Sequence, residues 1–331
     1  MQPFDHVSAN SAAAAVELLQ QSGPSGARLI AGGTDLLTLM KDRIQSPALL
    51  VDILPAAATL RYLRFEPDGA LRIGALATLA DIERDPHVAA RLPILTQAVR
   101  DAATPQLRAM ATAAGNLMQR PRCWYFRGEF PCWLKGGDEC FARDGENKYH
   151  AIFGASPCVA VHPSDLAPAL VALDAELTIA GPGGAARTLP VERFFAPPTD
   201  AERIEYRLQP GEVVTELRIP AQPAGAGGAY VKVMDRQAWA FALVSVAAQV
   251  SVRDGVVERA RLVLGGVANV PWRVAAVEDL LAGQRLTSAL AAQAADRALE
   301  NAHPLAHNGY KVPMARAAIR RALLAATSQE E

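Results

Sequence analysis

Two patterns of apolar residues take turns along the chain. Recurrence every three or four positions predicts a helix, and a short continuous run between turn signals predicts a buried strand. Residues 12–20 carry Val16 and Leu19 among small alanines and read as a helix, with Ser8 ahead of it as the cap. Residues 28–31 read as a short buried strand, followed at once by Gly32-Gly33-Thr34-Asp35. Helical spacing resumes over 36–41, and 49–53 and 71–76 read as further buried strands. Thr78-Leu-Ala-Asp81 has the form of a capping box opening another helix, with Asp in place of Glu. One more helix is expected over about residues 92–102.

Between Pro121 and Pro157 neither period holds: aromatics, Gly, Pro and charges mix. So long an irregular stretch in a compact domain points to a functional insertion, ordered by something other than an apolar core. The regular pattern returns as a helix over 164–173 and a strand over 176–180. Gly181-Pro-Gly-Gly184 loosely fits a dinucleotide fingerprint, but Arg-Thr-Leu-Pro190 follows instead of a helix, so it reads as a hairpin turn. Strands are expected over 229–235, 242–252 and 256–264, the last two joined by the hairpin signal Asp254-Gly255. The nearly apolar run 238–250 reads as a buried strand and falls short of the ~20 residues a membrane span needs. Helices over about 275–281, 288–302 and 314–324 close the chain. The expected division is residues 1–55, then 56–224 with an insertion at about 119–158, then 225–331.

A chain of 331 residues fits this multi-domain division. With a net charge of −1 and scattered Lys and Arg, it has no electrostatic footprint for nucleic acid or an anionic membrane. Its first residues, Met-Gln-Pro-Phe-Asp-His, lack a basic region followed by an apolar one, so no export signal of its own is expected.

The chemistry concentrates in two places. At Gly32-Gly33-Thr34 a strand turns into a helix, where glycines let the backbone approach a diphosphate and outward amides receive it. A plain strand-to-helix turn is the competing reading, and Asp35 is explained by its helix-start position. All four cysteines, Cys123, Cys132, Cys140 and Cys158, fall in or beside the irregular stretch, spaced C-x8-C-x7-C-x17-C. Zinc sites usually contain short C-x2–4-C pairs, and disulfide frameworks belong to small secreted domains. A [4Fe–4S] cluster takes Cys₄ ligation at varied spacing. Zinc and disulfides remain as alternatives. His150 and His162 stand without evident partners and read as structural; no nucleophile or acid–base pair is expected.

Six segments, in order, carry a family resemblance: Leu29-Ile-Ala-Gly-Gly-Thr-Asp-Leu-Leu-Thr-Leu-Met-Lys41, Leu71-Arg-Ile-Gly-Ala75, Gln106-Leu-Arg with Ala-Thr-Ala-Ala-Gly-Asn-Leu117, His162-Pro-Ser-Asp165, Pro210-Gly-Glu-Val-Val214 and Lys232-Val-Met-Asp-Arg236. Together they resemble the FAD-binding medium subunits of the xanthine dehydrogenase, or molybdenum hydroxylase, family. The resemblance implies an α+β fold: a two-part FAD-binding domain of the vanillyl-alcohol-oxidase type, then a smaller α+β C-terminal domain of the CO dehydrogenase flavoprotein type. It implies that Leu29, Ile30, Ala31, Gly32, Gly33, Thr34, Asp35 and Leu36 wrap the FAD diphosphate. By position Thr112, Gly115 and Asn116 meet the flavin or its phosphates, Asp165 a polar group of the cofactor, Val214 the cofactor through its backbone, and Lys232 the flavin ring. Ala114 stands where the family pattern has glycine. The cysteine insertion resembles the branches of the aldehyde oxidoreductase and 4-hydroxybenzoyl-CoA reductase flavoprotein subunits, and the aldehyde branch more closely. Arg120, Arg122 and Arg127 are then expected to offset the cluster's charge or to form a solvated basic face. The implied partners are a large molybdenum-cofactor subunit, a small [2Fe–2S] subunit and an external electron acceptor. Location follows from them: periplasmic by co-export with a Tat-signal-bearing partner, otherwise cytoplasmic. A free-standing flavin oxidase and a cofactor-less scaffold are the rival readings.

Overall fold

The computed structural model of the chain describes residues 1–327, the side chains of residues 24 and 25 apart. The first sheet is parallel and small: β1 (Asp5–Ser8), β2 (Ala27–Ile30) and β3 (Leu49–Asp52), with β3 in the middle. β1 has no apolar run to announce it, being mostly exposed, yet Val7 lies opposite Val51 in the ladder. Ser8 therefore belongs to a strand and caps nothing. The helix Ala12–Gln21 is capped by Ser11, whose Oγ accepts from the Ala14 amide at 3.1 Å. Its Ala15 and Val16 bury against Val51 and Ile53.

The second sheet is antiparallel, in the order β4 (Leu63–Phe65), β5 (Leu71–Gly74), β8 (Val213–Ile219), β6 (Glu176–Ala180), β7 (Ala186–Pro190). Gly181–Gly184 makes the expected turn between β6 and β7, the Gly181 amide donating to the Ala185 carbonyl at 2.7 Å. The capping box at Thr78 forms in full, with Asp81 in the reciprocal role. The largest core joins this sheet through Leu71, Ile73, Leu177 and Leu217 to the helices Pro93–Arg100 and Leu166–Ala172.

The third sheet is β9 (Ala226–Val233), β10 (Val244–Arg253), β11 (Val256–Gly265) and β12 (Trp272–Arg273), antiparallel and covered by Ala275–Leu281, Ser288–Leu299 and Lys311–Thr327. Asp254 (φ 52°) and Gly255 (φ 74°) form the β10–β11 turn, both in the left-handed region a two-residue hairpin demands. The run 238–250 is only partly strand. Trp239 turns into the left-handed region (φ 51°), and Trp239 and Phe241 stand exposed in the β9–β10 connection.

The insertion has one helical turn at Trp124–Arg127 and a 3₁₀ turn at Trp133–Lys135. Contrary to the sequence reading, an apolar cluster helps order it. Phe126, Trp133, Leu134, Cys132 and Cys158 pack with Leu39 of the helix that follows the glycine pair.

Candidate functional site

A cavity of about 1850 Å³ opens among the three sheets and the insertion, well above the ~300–1,000 Å³ of an ordinary small-molecule pocket. Its walls contain every residue expected at the cofactor except Lys232: residues 29–36, Thr112, Gly115, Asn116, Asp165 and Val214. Gly32 is there for lack of room, since a Cβ on it would lie 1.9 Å from the Met110 carbonyl oxygen. Gly33 sits at φ 66°, which only glycine adopts readily. Among the described residues, no backbone amide from Gly32 to Leu36 donates to a protein acceptor. Amides without a protein acceptor on the wall of a cavity, at the start of a helix, are available to an anionic group such as a diphosphate.

The stretch of wall beside Met110 is built on Thr112, which caps the short helix Ala113–Leu117 by accepting from the Gly115 amide at 3.2 Å. Asn116 is fixed by Ser164, whose hydroxyl donates to Asn116 Oδ1 at 2.6 Å. Ala114, in place of the usual glycine, is accommodated with its methyl almost buried in the wall. His162 is held by the Leu117 carbonyl, 3.1 Å from Nε2, and burial pushes its pKa down to about 4.

Lys232 lies behind the wall. Its Nζ donates to Asp165 Oδ2 and to the Asp101 carbonyl, each at 2.8 Å, and its side chain has no exposed surface. Tyr230 donates to Asp165 Oδ1 at 2.8 Å, so both oxygens of this carboxylate are engaged from behind. Burial pushes the Asp165 carboxyl up while Lys232 pulls it back. The geometry thus makes Lys232 a support for Asp165.

Asp35 also differs from expectation. It makes no side-chain cap for its helix. Instead Oδ1 accepts from Arg122 and Arg127, each at 2.8 Å, and Oδ2 from the Arg120 amide at 2.8 Å. Arg120 continues to Glu205 at 2.6 Å, and burial pushes the Glu205 carboxyl up. The three arginines are neither a solvated face nor grouped by charge alone: they tie the glycine loop to the insertion. No local signal in the sequence marked Glu205, because its role depends on a partner 85 positions away.

The four cysteines are free thiols and influence one another. Burial pushes Cys123 up to about 11 and also raises Cys132, whereas the hydrogen bond that Cys158 donates to Cys140 raises Cys158 and draws Cys140 down to about 6. The Ala160 amide donates to Cys158 Sγ at 3.5 Å. Among the described residues no three His, Cys, Asp or Glu side chains are arranged around a single metal ion. Cys123, Trp124 and His150 also line the cavity. His150 has a partner after all, its Nε2 lying 3.1 Å from Cys123 Sγ. Burial, and secondarily Lys311, push its pKa down to about 4.

Residues 2–222 match the FAD binding domain of molybdopterin dehydrogenases, and residues 229–326 the CO dehydrogenase flavoprotein C-terminal domain. The chain is 39% identical to the aldehyde oxidoreductase FAD-binding subunit PaoB of Escherichia coli, covering 99% of this chain and 100% of that protein. It is 30% identical to the carbon monoxide dehydrogenase medium chain of Hydrogenophaga pseudoflava, over 98% and 96% of the two chains. A solved carbon monoxide dehydrogenase from that organism superposes with a TM-score of 0.78, covering 98% of this chain and 97% of that one. The chain belongs to the FAD-binding medium subunits of the molybdenum hydroxylases, a family of oxidoreductases.

Proposed function

We propose that this chain is the FAD- and [4Fe–4S]-carrying electron-transfer subunit of a heterotrimeric, molybdenum-dependent aldehyde oxidoreductase. Electrons from a substrate oxidised on a large subunit arrive through a small [2Fe–2S] subunit and leave to an external acceptor. FAD supplies the electron exchange, and this chain's residues hold it: the unpaired amides of 32–36 receive its diphosphate, and Thr112, Gly115, Asn116 and Asp165 line the space it fills. The full-length similarity to an aldehyde oxidoreductase FAD-binding subunit supports the aldehyde assignment.

The observation carrying the cluster is that four thiols from one insertion lie close enough to influence one another, and the Ala160 amide donates to Cys158 Sγ at 3.5 Å. Amide–sulfur hydrogen bonds stabilise thiolate and are among the features that set cluster potentials. Metal, sulfide and flavin analysis of the anaerobically purified complex tests the reading. One FAD and four irons assigned to this chain are expected, and stoichiometric zinc would refute the cluster. Periplasmic placement by co-export with a signal-bearing partner belongs to the same proposal, and fractionation with and without the partner's signal tests it.

A further inference from the structure

We propose that His150 is a positioning residue for the cysteine site, donating its Nε2–H to the Cys123 sulfur and so raising the reduction potential of the cluster, and that residues 307–311 of the C-terminal domain hold it there. The inference rests on reading the four cysteines as [4Fe–4S] ligands. The Ala160 amide donates to Cys158, whereas His150 brings a side chain to within 3.1 Å of Cys123. The ring is edge-on to Trp124 at 5.8 Å. Its other nitrogen, Nδ1, is buried. The contact with Cys123 selects the tautomer that carries its proton on Nε2, aimed at the sulfur. A thiolate ligand has no proton to give, so the contact is a hydrogen bond only in this tautomer.

The segment carrying His150 is strapped along its length. Asn308 Nδ2 donates to the His150 and Ala151 carbonyls, both at 3.1 Å, and Lys311 Nζ donates to the Tyr149 carbonyl at 3.0 Å. The His307 amide donates to Asn147 Oδ1 at 2.9 Å, and the Tyr310 hydroxyl to the Lys148 carbonyl at 2.9 Å. Asn308 and Lys311 are fully buried, so this contact is built into the core of the C-terminal domain. A hydrogen bond to sulfur favours the reduced cluster, which carries one more negative charge.

The test compares the anaerobically purified complex as wild type, His150→Phe and His150→Gln. Gln carries a donor near the position of Nε2, and Phe has none. Iron content and the EPR-monitored potential of the cluster are read in each. With iron retained, His150→Phe is expected to shift the reduced-to-oxidised ratio at a fixed potential three- to tenfold toward oxidised, tenfold being ~59 mV for one electron. His150→Gln is expected to recover most of that shift. A full cluster whose potential is unmoved in His150→Phe overturns the role of His150 while leaving the cluster standing. An iron-free wild type overturns both. If His150→Phe loses iron, the wild type decides: an exchangeable proton on nitrogen-15-labelled histidine coupled to the reduced cluster supports the bond, and its absence sinks it.

Discussion

The buried group Asp165–Lys232–Tyr230 offers the most quantitative perturbation. Asp165 precedes the helix Leu166–Ala172, while Lys232 and Tyr230 stand on β9, so the group joins the FAD-binding region to the third sheet. Asp165→Asn keeps the shape and an acceptor for Tyr230 but removes the charge facing an ammonium with no exposed side-chain surface. Breaking a buried pair from one side typically costs ~3–5 kcal/mol. Lys232 retains the Asp101 carbonyl at 2.8 Å, which places the expected cost near the lower end, about 3 kcal/mol. In Lys232→Met with Asp165→Asn no buried charge is left, and the remaining cost is chiefly the lost donor to Asp101, about 1 kcal/mol. A double-mutant cycle in denaturant unfolding should therefore show coupling of about 2 kcal/mol or more. Flavin content should fall with Asp165→Asn, since Asp165 also lines the cavity. Additive single costs, or an Asp165→Asn variant within about 0.5 kcal/mol of wild type, would refute the view of Lys232 as a buried support.

Three other outcomes follow from named groups. His162 is neutral in the fold, with a pKa near 4 against an ordinary ~6.5, so stability it contributes above pH 6.5 is lost as pH falls toward 4. That amounts to about 3 kcal/mol, and unfolding of His162→Gln should show a correspondingly shallower acid limb. Burial draws Lys311 down to about 7 from an ordinary ~10.4, so the unfolded chain binds the extra proton in between and stability should rise with pH over about 7–10; Lys311→Met should flatten this slope. Gly32→Ala should leave a purified complex poor in flavin, because the new methyl collides with backbone at Met110; stoichiometric FAD in that variant would show the loop is not the diphosphate cradle.

What the sequence made legible was whatever depends on near neighbours. The capping box at Thr78, the hairpin at Asp254-Gly255 and the 181–184 turn are written in consecutive residues, and each formed. The glycine pair was legible because only glycine fits both the contact with Met110 and the positive φ. β1 and β4 escaped notice because short edge strands need no apolar run, being held mainly by ladder bonds to a neighbour. The 238–243 segment misled because composition cannot show that Trp239 adopts a left-handed backbone and leaves the sheet. Lys232, expected at the flavin ring, is instead buried against Asp165 and absent from the cavity wall, a distinction that only the fold can draw.

The same limit hid the purpose of Asp35. A helix-start carboxylate is sufficiently explained by the helix, so nothing in the segment asked for the three arginines that meet it. Their arrangement links two sites. The loop that faces the diphosphate space bonds through Asp35 to Arg120, Arg122 and Arg127, which flank Cys123 in sequence, and the far end of the insertion is fastened through Asn308 and Lys311 to the C-terminal domain. The cysteine stretch is thus pinned at one end by the flavin-binding loop and at the other by a buried core. Loss of Asp35 should therefore disturb flavin binding and the cysteine site together, whereas loss of Asn308 should disturb the cysteine site first. The difference follows from position: Asp35 lines the cavity and bonds to the arginines beside Cys123, whereas Asn308 bonds to the backbone of the cysteine stretch at His150 and Ala151.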